Sequence, residues 1–193
     1  MDDPVSEGDR VSRTNTREEI LREAARLFAV VGYKATSLTD IASAVGCSKA
    51  TLLYHFESKD AIFVALVEPA LRQVQDLATR LTPLAAGPAR EAAIVGFVDL
   101  VLTYRSEIAL IYNEILQLLQ RPAFAPLKPA VDALVAAFAG RSGDPADEVA
   151  AGVVLAGIVT MVVDRIDDAG DLRDSLIRVA RRALVTPVPQ AED

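Results

Sequence analysis

The segment from Thr36 to Lys59, TSLTDIASAVGCSKATLLYHFESK, limits the possible folds of this 193-residue chain more than any other. Ser37 and Asp40 form a capping box: the serine hydroxyl accepts a first-turn amide, and the aspartate carboxylate accepts the serine amide. Gly46 favours the left-handed conformation that ends a helix, and Ser48 is a good N-cap for the next one. The sequence therefore predicts two short helices joined by a three-residue turn, which is the helix-turn-helix layout.

Composition excludes several classes of protein. Apolar residues make up 51% of the chain and charged residues 24%, which excludes global disorder. The single cysteine excludes an internal disulfide and suits a reducing cytoplasm. The longest uncharged run, Val149 to Val163, is shorter than the roughly 20 residues that cross a bilayer. We therefore expect a cytoplasmic protein with no membrane partner.

The net charge of −7 is unevenly distributed. Residues 10–59 carry eight Lys/Arg against five Asp/Glu, whereas residues 60–193 carry twelve against eighteen. The only positive segment thus contains the helix-turn-helix, and local charge governs attraction to phosphates. The distribution is compatible with nucleic-acid binding by that segment.

The rest of the chain is predicted to be helical, because no run alternates with a period of two. Thr16 to Glu19 is a second capping box that opens the first helix, and Ser58 caps a fourth helix over 59–79. Five further helices are predicted at 88–103, 106–120, 127–139, 146–167 and 171–185. The expected organisation is all-α: a mobile tail (1–15), a helix-turn-helix domain (16–62), a larger ligand-binding and dimerisation domain (63–187) and a C-terminal tail (188–193).

Thr16 to Glu68 resembles the N-terminal DNA-binding domain of the TetR family of transcriptional regulators. The matching features are AARLFAVVG at the end of the first helix, then YKATSLTDIA, then SKATLLYHFESKDAIF. The resemblance implies base contacts from Lys49, Ala50 and Leu53. It also implies contacts to the DNA backbone from Ser37, Thr51, Tyr54, His55 and Lys59.

The chemistry of these side chains agrees with those roles. Lys49 can donate to guanine O6 and N7, and Ala50 and Leu53 can meet thymine methyl groups. Leu53 stands where the family usually has Tyr, so one hydroxyl donor is missing. An alternative is that Leu53 and Tyr54 are core residues, since apolar and aromatic side chains at helical spacing often are.

Two reactive residue types occur once each in the chain. His55 is the only histidine and has no second ligand nearby in sequence, so it predicts neither a metal site nor catalysis. Cys47, in the turn, is expected to be a small packing residue, with redox sensing as the less favoured alternative. No cofactor is predicted.

The last two helices are candidates for a homodimer interface. Val149 to Val163 is apolar on every side and needs cover all round. The resemblance implies a four-helix interface between two subunits, and the residues expected there are Gly152, Ala156, Gly157, Leu176, Val179 and Ala183. The alternative is that both helices are ordinary core helices of a monomer.

Asp99 is the anomaly of the larger domain, because it interrupts an apolar helix. If Asp99 is buried, its carboxylate needs a partner, and the candidates are Tyr104, Arg105, Thr160 and Arg165. The alternative is that Asp99 lies at a solvent edge, where it needs no partner. An apolar pocket with a few polar groups is typical of a small-ligand site. The candidate pocket residues are Phe97, Asp99, Thr103, Tyr104, Tyr112, Phe138 and Met161, with Tyr112 expected to face inward.

These features predict a transcriptional regulator that binds double-stranded operator DNA. A repressor released from a palindromic operator by a small apolar or amphipathic effector is favoured. The alternatives are a constitutive activator, and a small helical enzyme or ligand carrier with a vestigial helix-turn-helix. No nucleophile–base pair, phosphate loop or metal-ligand spacing supports an enzyme.

Overall fold

A computed structural model describes residues 7–118, 127–164 and 172–184. Nine α-helices and no strand occur in these ranges, as the sequence predicts. The predicted C-terminal tail at 188–193 lies outside them. The helices are α1 (Glu7–Val30), α2 (Leu38–Val45), α3 (Lys49–His55), α4 (Lys59–Leu81), α5 (Ala86–Thr103), α6 (Arg105–Leu118), α7 (Lys128–Phe138), α8 (Pro145–Asp164) and α9 (Leu172–Leu184).

The first helix begins earlier than expected. It starts at Glu7, so the prediction of a tail through residue 15 is wrong for residues 7–15, and residues 1–6 lie outside the described ranges. The residues before Thr16 contain acidic side chains at the helix start, which the helix dipole favours. A capping box marks a possible start, and the helix can extend through it because no proline stands between Glu7 and Thr16.

The chain forms two compact units, Met1–Glu68 and Pro69–Asp193, which divide within α4. This division falls at 68/69, beyond the boundary of 62/63 expected from sequence. The later position has a simple cause, since the first three turns of α4 contribute buried side chains to the N-terminal unit. Ile62, Phe63 and Val67 are 0–1% exposed.

The core of the N-terminal unit is built from one face of each helix. Besides the α4 residues, it contains Ile20, Ala24 and Phe28 of α1, Ile41 and Ala42 of α2, and Leu52 of α3. Phe28, Tyr33 and Phe63 form an aromatic cluster with ring centroids 5.0–6.1 Å apart. This core fixes which faces of α2 and α3 remain at the surface.

In the second unit α5 is the central helix, packed against α7, α8 and α9. Seven of its side chains are buried, among them Ile94, Phe97 and Val101. Gly96 allows the close approach of α4, because a Cβ there would lie 2.6 Å from a methyl carbon of Leu77. A larger residue at position 96 would therefore require the Leu77 side chain to shift.

Helix α8 is apolar all round yet only partly covered. Ala151, Ile158 and Val162 are buried, whereas Val149 and Val153 are 66% and 67% exposed. Among the described helices it alone is long and apolar enough to cross a membrane, on length and composition only. That test is also passed by core helices of soluble proteins. The uncovered face of α8 needs an explanation.

Candidate nucleic-acid interface

Helix α2 begins and ends as its sequence predicts. Ser37 is an extended N-cap whose Oγ accepts a hydrogen bond from the Asp40 amide at 3.1 Å. An Asp40 carboxylate oxygen accepts from the Ser37 amide at 2.8 Å and from its hydroxyl at 2.7 Å. The bond from the Ser37 hydroxyl has the larger effect and the bond from its amide the smaller, and together they hold the pKa of Asp40 below its ordinary value. Gly46 ends the helix at φ 77°.

Helix α3 presents the predicted base-contacting residues at the surface. Ser48 caps it by accepting from the Thr51 amide at 3.0 Å. Leu52 is fully buried, so the opposite edge of the helix faces outward. On that edge Lys49 and Ala50 are exposed, and Leu53 is 40% exposed. The alternative that Leu53 is a core residue is wrong.

The residues expected to contact the DNA backbone differ in accessibility. Ser37 and Thr51 are exposed, and Tyr54 is 70% exposed, so Tyr54 is not a core residue either. His55 is half-buried, with its ring edge-on to Tyr54 at a centroid distance of 5.3 Å. These four are available at the surface of the N-terminal unit.

Lys59 is placed differently from the other backbone candidates. Its Nζ donates to the carbonyl oxygens of Tyr33 and Thr36, both at 2.8 Å, and to that of Lys34 at 3.4 Å. It also lies 4.4 Å from the centroid of the Tyr33 ring. The ammonium is engaged by the protein's own backbone, which the sequence alone did not indicate.

The lone cysteine and histidine belong to no cluster. Cys47 is a half-buried free thiol. No group of three or more His, Cys, Asp or Glu side chains that could hold a metal ion occurs among the described residues.

The candidate pocket residues differ in burial. Phe97 and Phe138 are buried and pack edge to face with centroids 5.9 Å apart, while Thr103 is exposed and Tyr104 half-buried. A cleft of about 280 Å³ lies between α4 and α7 and includes none of the candidates. Its lining is Gln75, Ala78, Thr79, Thr82, Pro129, Ala130 and Ala133.

Asp99 is a solvent-edge residue with an unforeseen partner. Arg173 donates to its two carboxylate oxygens, from Nε at 2.6 Å and from Nη2 at 2.9 Å, and the aspartate side chain is 47% exposed. This bond raises the pKa of Arg173. Of the partners expected for a buried Asp99, Tyr104, Arg105 and Thr160 do not bind it, so those expectations were wrong. The fourth, Arg165, lies outside the described residues. Arg181 similarly binds Glu91 and lowers its pKa, which gives α5 and α9 a second exposed ion pair.

Tyr112 and Met161 are also surface residues, each 39% exposed. The Tyr112 hydroxyl lies 3.0 Å from Oγ1 of Thr160, so α6 contacts α8 at this point. The prediction that Tyr112 faces inward is wrong. The pattern that suggested an inward face also includes Ile115 and Leu119, whose side chains lie outside the described part.

Five of the six candidate interface residues are exposed on α8 or α9. Gly152, Ala156, Gly157 and Ala183 are exposed, and Val179 is 59% exposed. Leu176 is only 8% exposed and belongs to the core of its own chain, which corrects that assignment. Val149 and Val153 extend the surface and were missed, because a helix apolar on every side gives no sequence signal for which side is covered. We call these residues, without Leu176, the α8–α9 surface.

Comparisons with known proteins agree with this arrangement. The profile of "Bacterial regulatory proteins, tetR family" matches residues 20–66. The HTH-type transcriptional repressor AcnR of Corynebacterium glutamicum is 38% identical over 72 residues, 37% of each chain. IcaR of Staphylococcus aureus strain Newman, a negative transcriptional regulator of the biofilm operon icaADBC, is 45% identical over 47 residues, 24% of this chain and 25% of its own.

The matches to these two curated relatives thus span well under half of their length. A solved structure extends the likeness to the second unit. The crystal structure of Mycobacterium smegmatis AmtR superposes with a TM-score of 0.65 at 29% identity. It covers 87% of this chain and 85% of AmtR.

Proposed function

We propose that the chain is a regulator of the TetR family, whose profile matches its N-terminal unit, and that it is a homodimeric repressor of transcription that acts in the cytoplasm. It binds a palindromic operator in double-stranded DNA and leaves it when a small apolar or amphipathic effector binds. The relatives AcnR and IcaR are described as repressors or negative regulators, which favours repression over activation. The names of AcnR and IcaR also support a regulator rather than an enzyme.

The observation that carries this proposal is the outer edge of α3. Lys49, Ala50 and Leu53 are exposed together at the start of a capped helix, while Leu52 anchors the opposite side in the core. A recognition helix enters a major groove and contacts bases through residues near its N-terminus. Lys49 reads a guanine edge, and the two apolar side chains meet thymine methyl groups.

Phosphate contacts would fix the position of this helix on DNA. Thr51 and Tyr54 supply exposed hydroxyls and His55 a ring nitrogen, and the exposed Ser37 stands at the start of α2. Hydroxyls, imidazoles and helix-start amides all suit phosphate oxygens. These contacts add affinity without reading sequence.

A second copy of the chain is the proposed cover of the α8–α9 surface. One face of α8 already packs on the core through Ala151, Ile158 and Val162, so the helix cannot be surrounded by lipid. The uncovered face contains Gly152 and Gly157, where a Cβ would meet no other atom within 4 Å. Small residues and exposed valines suit close helix–helix contact, and a two-fold axis would bring the same surface together twice.

The effector is proposed to bind the second unit. The cleft between α4 and α7 combines apolar Ala78, Ala130 and Ala133 with polar Gln75 and Thr79, a mixture typical of ligand sites. Binding there would change α4 and with it the spacing of the two recognition helices, which must enter grooves roughly one DNA turn apart. The effector must bind the DNA-incompetent conformer better, and the coupling is reciprocal.

Genomic selection of bound fragments, followed by footprinting, tests the proposal. Purified chain should protect a symmetric site, with affinity that falls steeply as salt rises because phosphate contacts release counterions. If no symmetric site is protected in the source genome, the chain is not an operator-binding repressor. Repeating the selection with metabolite extracts would reveal the effector as a loss of protection.

A further inference from the structure

Two side chains at the start of α4 hold the α1–α2 turn (residues 31–37). The Lys59 ammonium donates to the carbonyl oxygens of Tyr33, Lys34 and Thr36. The next residue, Asp60, accepts a hydrogen bond from the Tyr33 hydroxyl. We call these contacts of Tyr33, Lys59 and Asp60 the α4 latch. All of its members lie in the N-terminal unit.

The ammonium of Lys59 has no donor left for another ligand. A lysine carries three N–H donors, and three carbonyl oxygens lie within 2.8–3.4 Å of this one. The ring of Tyr33 covers it further, with its centroid 4.4 Å away. To reach a phosphate, Lys59 would have to give up these bonds and leave turn carbonyls unsatisfied, which is costly.

The latch acts one residue before the cap of α2. Thr36, whose carbonyl accepts from Lys59, is 3% exposed, and its hydroxyl donates to the carbonyl of Gly32 at 2.9 Å. Ser37, which follows it directly, makes the capping box with Asp40. The position of the α2 start is therefore set by a turn that the first residues of α4 hold.

We propose that Lys59 and Asp60 are positioning residues, which hold the α1–α2 turn so that the α2–α3 pair is preset for DNA, and that Lys59 makes no phosphate contact. The proposal rests on the proposed function, because a preset helix pair matters only if α3 enters a groove. It replaces the backbone role that family resemblance implies for Lys59. Since α4 continues into the second unit, the latch is also where a change in α4 reaches α2.

Two variants break the latch in different ways. Lys59→Met keeps the length of the side chain and removes its charge, whereas Tyr33→Phe removes one hydroxyl and no charge. Lys34→Met is the matched control, because it removes a charge from the same turn while the Lys34 carbonyl stays in place. Thermal unfolding without DNA is measured first. Affinity for the selected duplex is then measured over a range of salt concentrations.

We expect both latch variants to lower Tm by about 2–4 °C, while Lys34→Met leaves it unchanged. Both should weaken DNA binding about tenfold, because only a fraction of the molecules keeps the binding-competent turn. The slope of log affinity against log salt should equal that of the wild type in both. A lost phosphate contact would instead reduce that slope by about 0.9.

A flatter slope for Lys59→Met with an unchanged Tm would overturn the proposal and restore the phosphate contact. A fall in Tm without any loss of affinity would also overturn it, since the latch would then be purely structural. A wild-type chain that binds no duplex would instead remove the proposed function itself. That failure is distinguishable, because it appears before any variant is made.

Discussion

The outer edge of α3 combines one cation with two apolar side chains. Lys49 can make bidentate contacts to guanine, while Ala50 and Leu53 can only pack, most favourably on thymine methyl groups. Leu53 brings no hydroxyl where family resemblance leads one to expect a tyrosine. The operator half-site should therefore contain a guanine next to thymines, with less hydrogen bonding than a tyrosine at position 53 would provide.

Lys49→Ala should cost about 1–3 kcal/mol of binding free energy at the preferred site and relax one base preference, because a guanine edge loses its donor. Tyr54→Phe is the control for a backbone contact and should weaken all sequences alike. Binding to a library of single-base operator variants measures both. Equal losses at every sequence for Lys49→Ala would contradict a base-reading role.

Because of Asp40, the thermal stability of the N-terminal unit is predicted to depend on pH in the acid range. The bonds from Ser37 lower its pKa in the folded state, so its capping contribution is complete above the ordinary aspartate pKa of about 3.9 and is lost as pH falls through the lowered value. The gap in Tm between wild type and Asp40→Asn should be constant above about pH 5 and shrink in stronger acid. In a Ser37→Ala background this pH dependence should weaken, and a gap that widened in acid would contradict the assignment.

Among the helices, α2 is the one that sequence specifies best. Ser37, Asp40 and Gly46 are local signals, since each acts on backbone groups within four residues, and the structure has all three in place. The start of α1 was missed because the box at Thr16 can be bypassed when the residues before it extend the helix. Local signals thus predict where a helix can begin, and context decides where it does.

Contacts distant in sequence could not be predicted in the same way. Asp99 and Arg173 are 74 residues apart, so no local pattern in the sequence connects them. The three carbonyls that bind Lys59 are backbone groups with no residue type to mark them. The exposed residues of α3 were expected from the family resemblance, whereas the uniformly apolar sequence of α8 gave no sign of which side is exposed.

Gly46→Ala tests the local signal at the end of α2. Gly46 has a φ of 77°, which costs a residue with a Cβ about 1–2 kcal/mol. Gly87→Ala is the matched control, because it lies in the first turn of α5, has open space for a Cβ and has no positive φ. Denaturant unfolding should show a loss for the first variant and no loss for the second. Equal effects would mean that the backbone conformation at Gly46 is not what matters.

For the whole molecule, the α8–α9 surface is the feature that a single chain leaves unexplained. Exposed valines at positions 149, 153 and 179 lie beside glycines that admit a close neighbour. A dimer through this surface would cover them and would supply the two recognition helices that a palindromic operator needs.

Gly157→Trp should break this dimer without unfolding the chain. A Cβ at position 157 meets no atom within 4 Å apart from the adjacent residues and backbone of its own helix, and Trp is tolerated in helices. In a two-fold interface each substitution would act from both subunits. Gly87→Trp, also at an open glycine but on α5, should remain dimeric. Light scattering on the folded variants measures the difference, and a dimeric Gly157→Trp would place the interface elsewhere.

The mass of the complex with its operator tests most directly whether the chain binds DNA as a dimer. Sedimentation equilibrium with a duplex that carries the selected symmetric site should give two 20.6-kDa chains per duplex, or a multiple of two. A duplex with only one half-site should bind far more weakly, and Gly157→Trp should bind both duplexes equally weakly. A single chain that binds the full site as tightly as the wild-type complex would contradict the account.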